Sequence, residues 1–226
     1  MNVRIGLLGS VAVLVTAGLV SADVTGVTIE SAITSPLAGS AGYVVNDFYI
    51  SFVGQLTSAQ MFSSGLLPGD IYQDAYGGDT APNGAFFGLV PSLAYDSFVH
   101  FGGKSTTDSN SVNTGIIGGA IEIGGAPTPH TFTNGSIDIA WNVGGGTNVS
   151  NRNDFFTARI TLLDTASGVI KFAPRAGAGA GQLYLTEFVV VNGVVGGVPE
   201  PASLAGLTVL VGLCAVGGHR RRGERG

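Results

Sequence analysis

The sequence predicts an all-β fold: an antiparallel β-sandwich or jelly-roll-like body, preceded by an N-terminal signal peptide and followed by a C-terminal hydrophobic helix. Three observations predict it. Apolar and polar residues alternate with period two along the middle of the chain, no long window there carries a helical period, and glycine, 37 of 226 residues, is about twice its usual ~7%. Alternation at period two is the mark of a half-buried strand, because successive side chains point to opposite faces.

In chain order, the first strand is expected at 27–33. In the second, Phe48, Ile50 and Phe52 point one way, and Asp47, Tyr49 and Ser51 the other. Residues 97–101 and 116–123 are the next candidates. Ile137, Ile139, Trp141 and Val143 then alternate with Ser136, Asp138 and Asn142, and Phe156, Ala158, Ile160 and Leu162 with Thr157, Arg159 and Thr161. Asp164-Thr165-Ala166-Ser167-Gly168 reads as the loop of a hairpin leading into 169–172, and 183–191 supplies a last strand. About eight to ten strands with glycine-rich turns suit a sandwich or jelly roll. A polar connection is expected at 72–84, a surface loop at Gly144-Gly145-Gly146 and a linker at 193–198. No internal repeat is visible, which sets solenoids and propellers aside.

Charged residues make up only 11% of the chain. Between Asp23 and Val198 stand five basic residues, Lys104, Arg152, Arg159, Lys171 and Arg175, against thirteen acidic ones, a formal charge of −8. Nucleic acid is excluded as a partner, since phosphate binding needs clustered Lys and Arg. The one cysteine, Cys214, lies near the C-terminus, so the body has no disulfide, no Cys-ligated zinc and no thiol nucleophile.

Both ends carry addresses. Arg4, an apolar stretch over 5–20 and Val20-Ser21-Ala22 form a signal peptide cut between Ala22 and Asp23. At the other end, residues 202–218 are 17 uncharged positions, about 25 Å of helix at ~1.5 Å per residue. Pro199 and Pro201 hold the chain extended ahead of that run. Arg220, Arg221 and Arg222, with Arg225 beyond, form a basic stop that the positive-inside rule keeps in the cytoplasm, leaving the body outside.

Val198-Pro199-Glu200-Pro201-Ala202-Ser203-Leu204, the apolar run and the arginine cluster together resemble the PEP-CTERM sorting signal. The resemblance covers roughly the last 29 residues. It implies a Gram-negative-type bacterium, recognition by an exosortase-type membrane enzyme, removal of the tail near Pro199, Glu200 and Pro201, and delivery to the cell surface or to an extracellular polysaccharide matrix. The expected organisation is a signal peptide at 1–22, a β-rich extracellular domain at 23–192, a linker at 193–198 and a sorting signal at 199–226. Within that signal, 202–218 is the hydrophobic helix, held in the inner membrane at least transiently, and 219–226 the basic tail.

Within the body, motifs with chemical meaning fail on spacing. Gly103-Lys104-Ser105 lacks the glycine of a phosphate-binding loop five residues earlier, where Phe98 stands. Arg175 to Gln182 has the glycines of a dinucleotide loop except the third, and Ala38 to Gly42 misses the spacing of a nucleophile elbow. His100 and His130 have no partner at metal-ligand spacing, so both read as structural or solvated. Glu122 and Glu187 form a carboxylate pair on strands, as in some glycosidases. Asp70, Asp74 and Asp79 offer oxygen ligands within one loop, a calcium candidate without the D-x-D-x-D-G pattern. Asn134 and Asn148 each open a glycosylation acceptor. The expected function is structural or adhesive and non-enzymatic, in association with extracellular polysaccharide or a biofilm matrix. The alternatives are a carbohydrate-binding module, with Tyr49, Tyr72, Tyr76 and Tyr95 as stacking rings, and a secreted polysaccharide hydrolase. Ice binding would need a regular threonine array that is absent.

Overall fold

The computed structural model describes residues 23–34, 42–127, 132, 135–177 and 183–197. Among these residues nine strands make one antiparallel sheet: β1 (Asp23–Thr34), β2 (Tyr43–Ser64), β3 (Phe98–Val99), β4 (Thr114–Gly118), β5 (Asp138–Val143), β6 (Ser150–Leu163), β7 (Gly168–Ala176), β8 (Thr186–Val191) and β9 (Val194–Gly197). Among the described residues no helix is longer than the five-residue 3-10 turn Pro91–Tyr95, and none could cross a membrane. The segments expected to form a signal peptide (1–22) and a hydrophobic helix (202–218), together with Pro199, Glu200, Pro201 and the three arginines, lie outside the described residues.

The 22-residue β2 is the spine. Its first half pairs with β1 and β6, its second half with β5 and β7; β3 extends the sheet beyond β6, β4 beyond β5, and β8 and β9 beyond β7. The exchange of partners happens at Gly54, whose φ of +85° is a conformation that glycine alone adopts without strain. Register shifts on both sides of it reset the parity of β2, so Phe48, Ile50 and Phe52 before the pivot and Ala59 and Met61 after it all reach the core.

Curling brings the two halves face to face over an aromatic core. Phe48 from the first half meets Phe172 and Phe188 from the second edge-on, at 5.6 and 5.9 Å between ring centres. Trp141 stacks on Phe172 at 6.1 Å and tilts against Phe101 at 5.9 Å. Each such ring, fully buried, contributes roughly 2–3 kcal/mol of hydrophobic stabilisation. Asn46 ties the seam. Its Nδ2 reaches the carbonyls of Ile160 on β6 (3.2 Å) and of Gly193 (2.9 Å) beside β9, while its Oδ1 accepts from Ser31 Oγ on β1 (2.6 Å) and from the Val195 N–H on β9 (3.0 Å).

The strands and their connections depart from the sequence reading in several places. Phe156 does not share a face with Ala158: a bulge at Thr157, between the pairs Phe48↔Ala158 and Tyr49↔Phe156, turns Phe156 outward onto Phe98 and Ala81, and Phe155 takes the inward place. Asp164 to Gly168 is not a hairpin loop, because β2 lies between the strands it joins and β6 never pairs with β7. Of 116–123, only the first residues are strand; Ile121–Ile123 is a 3-10 turn, held by Asp138, whose carboxylate accepts from the Ala120 and Ala126 N–H groups at 2.6 and 2.8 Å. The strand expected at 97–101 is two residues long. Residues 194–197, expected within a linker, form β9, reached through a turn at Asn192 and Gly193.

Asp47, Asp138, Thr157 and Thr161 were expected on a solvated face and are buried. The long segment after β2 first pairs with the end of β6, the Tyr72 N–H bonded to the Thr161 carbonyl and the Leu163 N–H to that of Asp70, so that Ile71 bridges Leu162.

Candidate functional site

A cleft lies between the loop 102–112 and the turn leading from β5 into β6. It encloses about 780 Å³. Phe155, Phe156, Tyr49 and Val149 line its apolar side, and Lys104, Asp108, Asn110, Asn148, Arg152, Asn153 and Asp154 its polar side.

Local sequence builds both walls. In the loop, the Asp108 carboxylate accepts from the N–H groups of Lys104 (2.6 Å) and Ser105 (3.0 Å) and from Ser105 Oγ (2.8 Å), so Gly103-Lys104-Ser105 is an aspartate-closed loop with no helix behind it. On the opposite wall, β6 is irregular against β2 over 150–157, and Asn151 and Asp154 adopt left-handed backbone (φ 50° and 49°). Asparagine and aspartate tolerate that region better than other side-chain-bearing residues. Asn151 Oδ1 accepts from the Gly54 N–H at 2.7 Å, which fixes the bulged segment to the β2 pivot. The result is a run of exposed polar residues, Asn151 to Asp154, of which Arg152, Asn153 and Asp154 line the cleft. Bulges re-aim side chains in this way.

A charge network underlies the groove. The buried Asp47 carboxylate takes Arg159 in a bidentate pair, Nε at 2.7 Å and Nη2 at 2.8 Å, and also Lys104 Nζ at 2.7 Å. Lys104 Nζ lies 5.7 Å from the centre of the Tyr49 ring. Burial alone would lower the Lys104 pKa, but its hydrogen bonds to Asp47 and Tyr49 outweigh that and hold it above its ordinary value. Burial raises Tyr49. Lys104 is therefore a fixed cation at the groove wall.

A smaller cleft of about 390 Å³ adjoins the first and shares Ser111 and Val112 with it. Here His100 Nε2 shares a hydrogen bond of 2.6 Å with Ser111 Oγ, a contact that the sequence reading, which treated His100 as structural, did not anticipate. Eleven residues separate the two, and no short motif links them. Burial depresses the His100 pKa, so the ring is neutral, but its buried Nδ1 has no partner. The pair has the geometry of a base beside a hydroxyl without the carboxylate that would orient the base.

The calcium candidate does not assemble. Among the described residues no three His, Cys, Asp or Glu side chains group to hold a metal ion. Asp70 Oδ2 accepts from the Leu67 N–H (2.7 Å), and Asp74 accepts from the Tyr76 N–H (2.8 Å) and from Tyr72 Oη (3.2 Å). Burial raises Asp79, against a backbone hydrogen bond from Phe132. What orders this loop is Asp96, a residue the sequence reading passed over. It is fully buried, and its carboxylate accepts from the N–H groups of Asp74 (2.8 Å) and Gly78 (3.0 Å). Burial pushes Asp96 up to about 6, against those two N–H groups.

Glu122 and Glu187 are not brought together as a working pair. Glu122 accepts from Arg175 (2.6 Å) and Gln60 (3.0 Å) over the outer face of β2 and β7, while Glu187 sits on β8 in register with Lys171. Of the four tyrosines, only Tyr49 lines the groove, and Lys104 covers its ring; Tyr72 packs edge-on against Tyr43 at 5.1 Å. Asn148 is in the groove wall, whereas Asn134 and His130 lie outside the described residues.

No protein-family model matches the chain, and neither a curated protein nor a solved structure is significantly similar to it.

Proposed function

We propose that this is an exported, non-enzymatic protein of the bacterial surface or extracellular matrix, sorted through its PEP-CTERM-like tail, whose groove holds extracellular polysaccharide. The observation that carries the reading is the succession, in the sequence of the last residues, of Pro199-Glu200-Pro201, an apolar run and arginines. The body is compatible with both cuts. Removal of 1–22 leaves all of β1, and removal of the tail beyond 198 leaves all of β9. The curled sheet is read as a jelly-roll-like sandwich whose halves share β2, because Phe48 on one half packs against Phe172 and Phe188 on the other.

For the groove, the lining is rich in amides, hydroxyls and carboxylates, with two cations beside apolar rings. Such a set suits sugar hydroxyls, which need donors and acceptors at fixed places along an apolar floor. Arg152 and Asn153 are exposed on the bulged wall, so replacing them leaves the fold intact. Arg152→Ala and Asn153→Ala are each expected to weaken binding to an acidic or neutral exopolysaccharide about tenfold at unchanged melting temperature. Isothermal titration against a panel of bacterial polysaccharides tests this, and a parent protein that binds none of them ends the reading.

A second reading, a secreted hydrolase acting on ester-substituted polysaccharide, is favoured by the His100–Ser111 hydrogen bond alone. Labelling by a serine-directed fluorophosphonate, lost in Ser111→Ala, would favour it over the binding role.

A further inference from the structure

Exposed apolar side chains are concentrated at one place. Four of the eleven large ones among the described residues, Leu185 (55% exposed), Val189 (42%), Val191 (57%) and Val194 (42%), fall within ten residues of chain. Val191 pairs with Val194 across the β8–β9 turn, and Phe188, Val190 and Val195 point into the core, so Val189, Val191 and Val194 share the outer face of this hairpin. Leu185 stands just before β8.

Chain length says what this face meets. Gly197 ends β9, and the apolar run begins at Ala202, five residues later. An extended chain covers at most about 3.4 Å per residue, so the end of β9 stands within about 17 Å of the start of that run. Nor can β9 act as a loose stalk, because Asn46 grips the Gly193 carbonyl and the Val195 N–H. We propose that, while the tail is in the membrane, the outer face of the β8–β9 hairpin rests on the phospholipid bilayer, its valines at the boundary between headgroups and acyl chains. This rests on the reading of 202–218 as a membrane segment. Glu187, the carboxylate on the same hairpin, is in register with Lys171, so that an opposite charge stands beside it at headgroup level. In this pose the Pro-Glu-Pro segment is presented at the membrane surface, where a membrane-embedded processing enzyme works.

The body has no thiol and Cys214 lies in the apolar run, so site-directed labelling tests the proposal directly. The full chain is placed in phosphatidylethanolamine and phosphatidylglycerol vesicles with a fluorophore at Cys214, or, in a Cys214→Ser background, at Val191→Cys or Asn153→Cys. Asn153 is exposed near the start of β6, about ten residues from the Leu163 end that borders Gly193. The expected result is quenching of the label at 214 by nitroxides on the acyl chains. Headgroup-level nitroxides are expected to quench the label at 191 at least twofold more than the label at 153. With the label at 214 quenched, equal quenching at 191 and 153 overturns the docking and leaves the membrane segment standing. An unquenched label at 214 overturns the membrane segment and the docking with it. Concentration-dependent self-quenching at 191 in detergent would assign the face to a second copy of the chain instead. On the unlabelled chain, amides of β8 and β9 are expected to exchange more slowly in vesicles than in detergent, and equal rates count against the pose.

Discussion

At position 46 another valine would extend the run Tyr43-Val44-Val45, yet a fully buried asparagine stands there, and its amide bonds to three neighbouring strands, β1, β6 and β9, and to Gly193 in the turn before β9. A buried donor or acceptor that loses its partner costs about 1–3 kcal/mol. Asn46→Ala strands the Val195 N–H and leaves the Gly193 carbonyl one donor short, so it is expected to lower stability by about 3 kcal/mol in urea denaturation; a loss below about 1 kcal/mol would refute the clamp. Asp96 gives a pH dependence. Its folded pKa is raised, from 3.8 to about 6, so its contribution to stability is complete below about pH 4 and is lost as the pH rises through about 6. The loss is at most about 3 kcal/mol at 1.36 kcal/mol per pKa unit. The neutral, buried His100 acts with the opposite sign, favouring the fold as the pH rises through its unfolded value near 6.5. The difference between the parent and Asp96→Asn isolates the carboxylate: measured by denaturation from pH 4.0 to 6.5, the parent should fall relative to the variant. Parallel profiles would show that Asp96 does not titrate in this window. Neither residue was legible in the sequence, since Asn46 finds partners at positions 160 and 193, and nothing near Asp96 in the chain announces the turn that wraps it.

Among the elements, period-two alternation located most strands, because it reflects a local constraint of one buried face. It fails where the register is irregular. Phe156 was assigned by parity with Ala158, and one bulged residue, Thr157, reverses that assignment. The fate of 193–198 failed differently: Gly193-Val194-Val195-Gly196-Gly197 has the glycine content of a linker, yet its amides complete the edge of the sheet. Gly193 has a φ of +74°, and an added Cβ would lie 2.6 Å from the Leu163 carbonyl. Gly193→Ala is therefore expected to destabilise by more than about 1 kcal/mol, the scale of a residue forced into left-handed backbone. It should also raise the exchange rates of β9 amides well above those of β7. Unchanged exchange at β9 would mean that the turn adapts.

For the molecule as a whole, both expected cuts fall outside the sheet. Protein recovered from culture medium should have the intact mass of a chain that begins at Asp23 and ends near Pro199, and it should melt in one cooperative transition. A secreted species that retains 202–218 would contradict the sorting scheme. By itself the sequence determined the β class and the lack of a thiol in the body, and it alone carries the two proposed addresses, because alternation, apolar run length and residue counts are properties of neighbouring or summed residues. Tertiary structure alone decided that β2 separates β6 from β7, that Asp108 and the bulged β6 wall face each other across a groove, and that His100 meets Ser111. Each of these depends on strand pairing or loop closure between residues that no short pattern links, and such contacts exist only once the sheet has curled.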